Sequence, residues 1–311
     1  MPVTPEENAK YGKFVNDVAI DLGVFDFGND KVVWHYTNGD GLLGILQSST
    51  LHATQVASLN DSNETTYATE LFVDAVTQVI SERSGDTQAV AFLNEVLEFV
   101  KEDNRHSTHG TSKFFVVCFS EDEDELTQWD RYGRPNGYAI GFKAGGLFRE
   151  PNSRLYRVVY DREKQLQGVK KIAEATLDFY LEGLNDERMK DPELWGKEFF
   201  TAWDEWVYKL APLAKDTKWR SENEYRIVHE LKVAEFPNVR FKQRQTMLAR
   251  YIPLDTPYWI KRRSQLLPIA KIWIGPGGNQ EFTRVSINLL LEQMGYTGVP
   301  VELSVCTLTR P

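Results

Sequence analysis

The sequence predicts an α+β fold built on a mixed, largely antiparallel sheet, with helices inserted into it. Apolar runs of strand length recur along the chain, and residues 113–120 (KFFVVCFS) are the plainest of them, reading as a strand in the middle of a sheet. Stretches with helical apolar spacing fall between these runs without strict alternation, which is the order of an α+β rather than a parallel α/β protein. At 311 residues, with 41% hydrophobic and 12% aromatic content, the chain can bury a substantial core. We read residues 1–311 as one elaborated domain with a helical insertion at 161–215.

Residues 31–37 (KVVWHYT) read as a strand ending in polar side chains, and 39–47 (GDGLLGILQ) as a short amphipathic helix. A second strand follows at 51–54. Asn60, Asp61, Ser62 and Asn63 form a turn and helix cap before helical spacing over 64–83, and a Ser-Gly break introduces a further helix at 86–101. Beyond the strand at 113–120, residues 121–132 read as a helix with acids at its N-terminus, where the helix dipole favours them. Strands follow at 137–142 (GYAIGF) and 155–160. Two long helical stretches, 163–184 and 192–214, make up the insertion. Strands resume at 223–231, 248–254, 270–274 and 299–305, with a helix over 280–294. Phe115, Val117, Ile140, Ile227 and Ile272 are expected buried on one sheet. Gly275-Pro276-Gly277-Gly278 lacks the Lys-Ser/Thr of a phosphate loop and the spacing of a dinucleotide fingerprint, so it reads as a turn.

Several classes are set aside. The first ten residues are polar and acidic, without the basic start and apolar stretch of a secretory leader, and a cytoplasmic location is expected. No apolar run approaches the roughly 20 residues that cross a bilayer. Cys118 and Cys306 lie in apolar strand-like segments, and both are expected reduced and buried. The formal charge of −9 argues against broad attraction to phosphate backbones but allows a local basic patch. The densest basic segments, 240–250 and 261–263, read as solvated surface. His106 and His109 have no cysteine or tight acidic cluster to complete a metal shell, so no metal is expected. There is no Gly-x-Ser-x-Gly elbow, and neither cysteine has a histidine nearby in sequence.

Three polar groups stand at the ends of apolar strands, where a rigid backbone can hold side chains for chemistry. They are His35-Tyr36-Thr37; Ser120 followed by Trp129 and Tyr132; and Glu222-Asn223-Glu224-Tyr225-Arg226. On one strand Glu222 and Glu224 would share a face, with Arg226 as their ionic partner. His35 suits either a ligand or a core histidine that closes a backbone hydrogen bond. Trp129 and Tyr132, three apart on a helix, suit core packing or a stacking platform.

WHYT with the following GLLGIL, LND-x-x-E at 59–64, VVCFSE, W-x-x-YG, GYAIGF and E-x-EYRI together resemble the bacterial domain-of-unknown-function family 2971, over roughly residues 32–305. The same block order resembles, more loosely, the His-Tyr-Glu class of ADP-ribosyltransferases and their split sheet. That second resemblance implies NAD as substrate, His35 on a ribose, an aromatic residue such as Tyr36 or Tyr132 on nicotinamide, and Glu224 or Glu222 as the catalytic carboxylate. Thr37, Ser120, Trp129, Asn60, Asp61 and Arg226 complete the binding set it implies. The function implied is an NAD-dependent ADP-ribosyltransferase or NAD-cleaving enzyme, of the kind used as a toxin or phage-defence effector. Its acceptor would be a protein or nucleic acid, and the inserted helices could make a target surface or a homo-oligomer contact. The alternatives are a non-catalytic nucleotide- or protein-binding module and, third, a metal-dependent nuclease built on Asp61, Glu64 and Glu222.

Overall fold

The computed structural model describes residues 5–25, 28, 30–59, 63–107, 113–133, 137–147, 149–150, 153–183, 211–231, 233–244, 247–255 and 266–306. The elements run α1 (Pro5–Asp21), β1 (Val32–Thr37), α2 (Gly39–Ser48), β2 (Thr50–Gln55), α3 (Asn63–Glu82), α4 (Thr87–Ser107) and β3 (Phe114–Ser120). Then come α5 (Leu126–Tyr132), β4 (Tyr138–Lys143), β5 (Arg149–Glu150), β6 (Ser153–Arg157), α6 (Arg162–Gly183) and β7 (Glu224–Glu230). The chain continues through β8 (Arg240–Gln243), β9 (Leu248–Asp255), β10 (Ile269–Ile274), α7 (Gln280–Gln293) and β11 (Val301–Leu303). The contacts fall into two compact units: residues 1–25, 56–114 and 158–219 in one, and residues 26–55, 115–157 and 220–311 in the other.

The first unit is helical. Apolar residues three and four apart give each helix one buried stripe, as Leu71, Ala75 and Val79 do on α3. The helix α6 packs against α1, α3 and α4. Phe92 of α4 and Tyr180 of α6 stack face to face, their ring centroids 3.8 Å apart and 13° from parallel. Polar ties accompany the packing: the Tyr67 hydroxyl donates to Gln165 Oε1 at 2.5 Å, and the Gln165 amide donates to the carbonyls of Val159 (2.5 Å) and Lys215 (2.9 Å). The helix expected over 163–184 is present as α6. That expected over 192–214 lies outside the described residues except at its end, where Ala211–Leu213 form a 3₁₀ turn.

The second unit holds the eleven-stranded sheet, in the order β11-β10-β4-β1-β3-β2-β9-β8, with β7 also pairing with β3 and extending through β6 to β5. The β10–β11 pair is parallel, and the other pairs with a defined register are antiparallel. The strand β1 follows β4 along its whole length, from Val32↔Lys143 to Thr37↔Tyr138, yet meets β3 only at Trp34↔Ser120. The pairing of β2 with β3 is equally brief, at Thr54↔Val116 and Gln55↔Phe115. Three other strands, β1, β2 and β7, share β3. The short α2 starts where the Asn38 side chain accepts the Gly41 N–H, and stops where Ser49 turns left-handed (φ 51°).

Phe115, Val117, Ile140, Ile227 and Ile272 are all buried in one cluster, covered by Leu42, Ile45 and Leu46 of α2 and Ile287 and Leu291 of α7. The α+β expectation and its core residues hold. Three local readings change. The helix expected over 121–132 begins only at Leu126, because residues 121–125 are engaged in tertiary bonds described below. The helix α1 and the strand β8 were not expected, since neither carries a clean apolar run. Cys118 and Cys306 are free thiols, as expected, but half-buried rather than buried. The 275–278 turn is as expected: a Cβ on Gly275 would come within 2.8 Å of the Trp129 ring, so the close approach there requires glycine.

Phe92→Ala removes a ring that is 2% exposed and stacked on Tyr180. We expect a loss of about 3–5 kcal/mol, as for large-to-small core substitutions, measured by denaturant unfolding of the full chain.

Candidate functional site

The three polar groups singled out in the sequence converge at the C-terminal end of β3. Ser120, its last residue, pairs with Trp34 of β1, one position before His35. The next residue, Glu121, donates its N–H to the carbonyl of Asn223 at 2.8 Å, one position before Glu224. Ser120 Oγ donates to the carbonyl of Glu222 at 3.0 Å.

The carboxylates of Glu222 and Glu224 do not share a strand face. Glu222 closes the 3₁₀ turn Thr217–Glu222, Asn223 adopts φ 41°, and β7 begins only at Glu224. A left-handed residue between them breaks the period-2 geometry that the sequence reading assumed. Each acid has its own guanidinium. Arg131 Nη1 of α5 lies 2.6 Å from Glu222 Oε1. Arg226, two residues along β7 and so on the same face as Glu224, grips it with Nε to Oε1 at 2.8 Å and Nη2 to Oε2 at 2.9 Å. The two side chains are 1% and 7% exposed, so this ion pair is almost wholly dry.

His35 Nδ1 lies 2.9 Å from the Cys118 carbonyl. A carbonyl only accepts, so Nδ1 carries the proton and Nε2 is left as an acceptor. Burial lowers the pKa of His35; the Cys118 bond opposes that shift and the charge of Lys242 adds to it, so the ring is neutral at neutral pH. The ring packs edge-on against Phe119, with centroids 5.8 Å apart. Strand alternation sends His35 to the side of Val33, which belongs to the main core with Phe119, Tyr225 and Ile227. The same rule sends Trp34, Tyr36, Ser120, Glu224 and Arg226 to the other side. Tyr36, Ser120, Glu224 and Arg226 thus share one side of the sheet, and His35 and Thr37 lie on the core side.

Tyr36 and Trp129 meet edge to face at 4.8 Å. The Tyr36 hydroxyl donates to the Asp122 carbonyl (2.9 Å) and accepts the Glu125 N–H (3.0 Å). Burial first, and then the nearby charges of Asp124, Glu125 and Asp122, raise its pKa well above the ordinary tyrosine value. Trp129 is buried, with Nε1 donating to Asp124 Oδ1 at 2.8 Å. Tyr132, at the end of α5, keeps 39% of its surface exposed, and Thr37 ends β1 opposite Tyr138. Asn60 and Asp61 lie outside the described residues, as does the Glu64 side chain.

The acidic run 121–125 is a hub rather than a solvated helix start. Glu121 pairs with Lys31 and with Arg157, the latter at 3.2 Å. Asp122 accepts from Asn223 Nδ2 at 2.9 Å. Glu123 accepts from Trp273 Nε1 at 3.2 Å. Asp124, at φ 50°, accepts from Trp129, from the Ser304 hydroxyl and from the Val305 N–H. Glu125 caps α5 by accepting the Gln128 N–H at 2.9 Å. Burial, followed by the Asp124 charge, raises the pKa of the Cys306 thiol, which disfavours a reactive thiolate. Arg131, Asp122 and Asp124 were missed in the sequence. The only local signal was the concentration of acids directly after an apolar strand.

A second group surrounds Tyr251. The His52 ring lies 4.4 Å from it, and Lys242 Nζ stands 5.4 Å above it. Lys242 acts electrostatically on both His35 and His52.

A family described as "Protein of unknown function (DUF2971)" matches residues 128–227, which takes in Trp129, Tyr132, Glu222, Glu224 and Arg226. The resemblance seen in the sequence thus has direct support over that stretch. No curated protein and no solved structure matches the chain.

Arg226→Leu strands a buried carboxylate and is expected to cost about 3–5 kcal/mol, whereas Glu224→Leu combined with Arg226→Leu recovers most of that loss. Unfolding of the two single variants and the double variant gives the coupling. For His35 the folded pKa lies below the unfolded 6.5, so the unfolded chain binds the extra proton, and stability falls as pH drops below about 6.5 toward the folded value. His35→Asn keeps an N–H for Cys118 but cannot titrate. Thermal melts between pH 7.5 and 5.5 should show a smaller decline in Tm for this variant than for the parent.

Proposed function

We propose that the chain binds NAD and breaks its nicotinamide–ribose bond, passing the ADP-ribosyl group to an acceptor nucleophile or to water. The observation that carries this reading is the meeting at the end of β3 of the blocks that resemble the ADP-ribosyltransferase signature: Ser120 beside Trp34–His35–Tyr36, and Glu121 beside Asn223–Glu224. As the bond breaks, its electron pair leaves with nicotinamide, which becomes neutral, and positive charge builds on the ribosyl carbon. A carboxylate aimed at that carbon stabilises the transition state more than the ground state. Glu224 fits the role because Arg226 fixes the plane of its carboxylate in advance, so its orientation needs no reorganisation as the cation forms. The acceptor then bonds to the ribosyl carbon and gives up its proton. The half-exposed ring of Tyr132 offers a stacking surface for the leaving ring, at about 0.5–1.5 kcal/mol. His35 serves in this scheme as a positioning residue, holding the Cys118 carbonyl and with it the end of β3.

A second reading, a non-catalytic nucleotide- or protein-binding module, is favoured by one observation: each carboxylate is already held by a guanidinium.

The test is nicotinamide release from NAD by the full chain, supplied with protein and nucleic-acid acceptors. Turnover is expected, and Glu224→Gln should lower kcat about 10²-fold or more with little change in KM, while Glu222→Gln keeps most activity. Binding of NAD without nicotinamide release under any acceptor would establish the module reading instead.

A further inference from the structure

The β8–β9 hairpin carries one of the two densest concentrations of positive charge in the chain. Between Glu235 and Asp255 there is no acidic residue, while Arg240, Lys242, Arg244 and Arg250 all fall there, in a chain whose formal charge is −9. Register places Arg240 opposite Tyr251 and Phe241 opposite Arg250, so each face of the hairpin combines a cation with an aromatic ring. On the first face Lys242 stands over Tyr251, with His52 of β2 against the same ring. On the second face Phe241 is 60% exposed. Arg240, Lys242 and Arg250 form no ion pair among the described residues.

The strand β8 is the last in the sheet order, and charge on an edge strand also protects against edge-to-edge pairing. Edge protection calls only for an exposed charge. Lys242 is instead half-buried over an aromatic ring, and burial first, then the charge of Arg244, draw its pKa down to about 8. A charge held at that cost is better explained by an anion arriving beside it.

We propose that the β8–β9 hairpin binds single-stranded nucleic acid, with Arg240, Lys242 and Arg250 on phosphates and with Phe241 as a base-stacking platform. Cations beside an exposed ring along a sheet edge suit a flexible strand whose unpaired bases can lie on the ring; a duplex offers phosphates but no free base faces. The inference does not depend on NAD chemistry, since none of its residues belongs to the group at the end of β3.

The test titrates the full chain into fluorescein-labelled 12-mers of oligo-dT and oligo-rU and into a 12-base-pair duplex, read by anisotropy from 50 to 200 mM salt. Single strands should bind at least tenfold more tightly than duplex. Arg240→Gln with Arg250→Gln should weaken binding and flatten the log–log salt slope by about 1.4, that is, ~0.7 for each phosphate that is no longer neutralised. Phe241→Ala, an exposed position whose change spares the core, should weaken binding roughly tenfold while leaving the salt slope unchanged. Unaltered melting curves for these variants confirm that they fold. The proposal is overturned if no oligonucleotide binds at 50 mM salt. It is equally overturned if heparin binds as tightly as the single strands, or if the variants match the parent in affinity and slope.

Discussion

The side of the sheet that faces α5 depends on how five consecutive acids are neutralised. Glu121 to Glu125 leave β3 with five side chains that would repel one another if left to solvent, and each is taken up by a different part of the unit: Lys31 and Arg157, Asn223, Trp273, the Trp129–Ser304 pair, and the first turn of α5. Hydrogen bonds to charged groups contribute about 1.5–3 kcal/mol each where water is excluded, and less where it is not. Together they tie β1, β7, β10 and the 304–306 segment to one loop. They also force Asp124 into a left-handed conformation, which is sustained because several partners demand it.

That loop explains why the polar residues around it sit where they do. Asp122 and Asp124 satisfy the Tyr36 hydroxyl and the Trp129 indole N–H, and the two rings meet edge to face. Arg131, carried on a helix whose start Glu125 sets, reaches Glu222. The Glu224–Arg226 pair joins two residues of one strand. Its bidentate geometry and dryness fix the two side chains against each other and stiffen β7.

The sheet, its core and most strand positions were readable because apolar runs such as FFVVCF and YAIGF have one way to be buried. Element boundaries were not readable where tertiary bonds override local preference. The acids at 121–125 look like a favourable helix start, but their partners at Lys31, Asn223 and Ser304 lie far away in sequence. The same is true of Glu222 and Glu224, whose i, i+2 spacing implies a shared face until a left-handed Asn223 intervenes, which no neighbour predicts. His35 shows the reverse case. Its location on a strand end was visible, but which side of the sheet it serves depended on a carbonyl exposed where β1 and β3 barely pair.

The two units are each assembled from three separated stretches, so the chain passes back and forth between them and neither unit is a continuous segment. This bears on the stretch 128–227 that the family match covers. It includes β4, β5, β6, α6 and the first four residues of β7 but excludes β1 and β10, which flank β4, and β3, on which β7 rests. Excised alone, that stretch would expose the apolar faces of strands whose neighbours are absent. It is a recurring core sequence without being a domain that can be cut out, and inheritance by fusion or shuffling would have to carry the flanking strands with it.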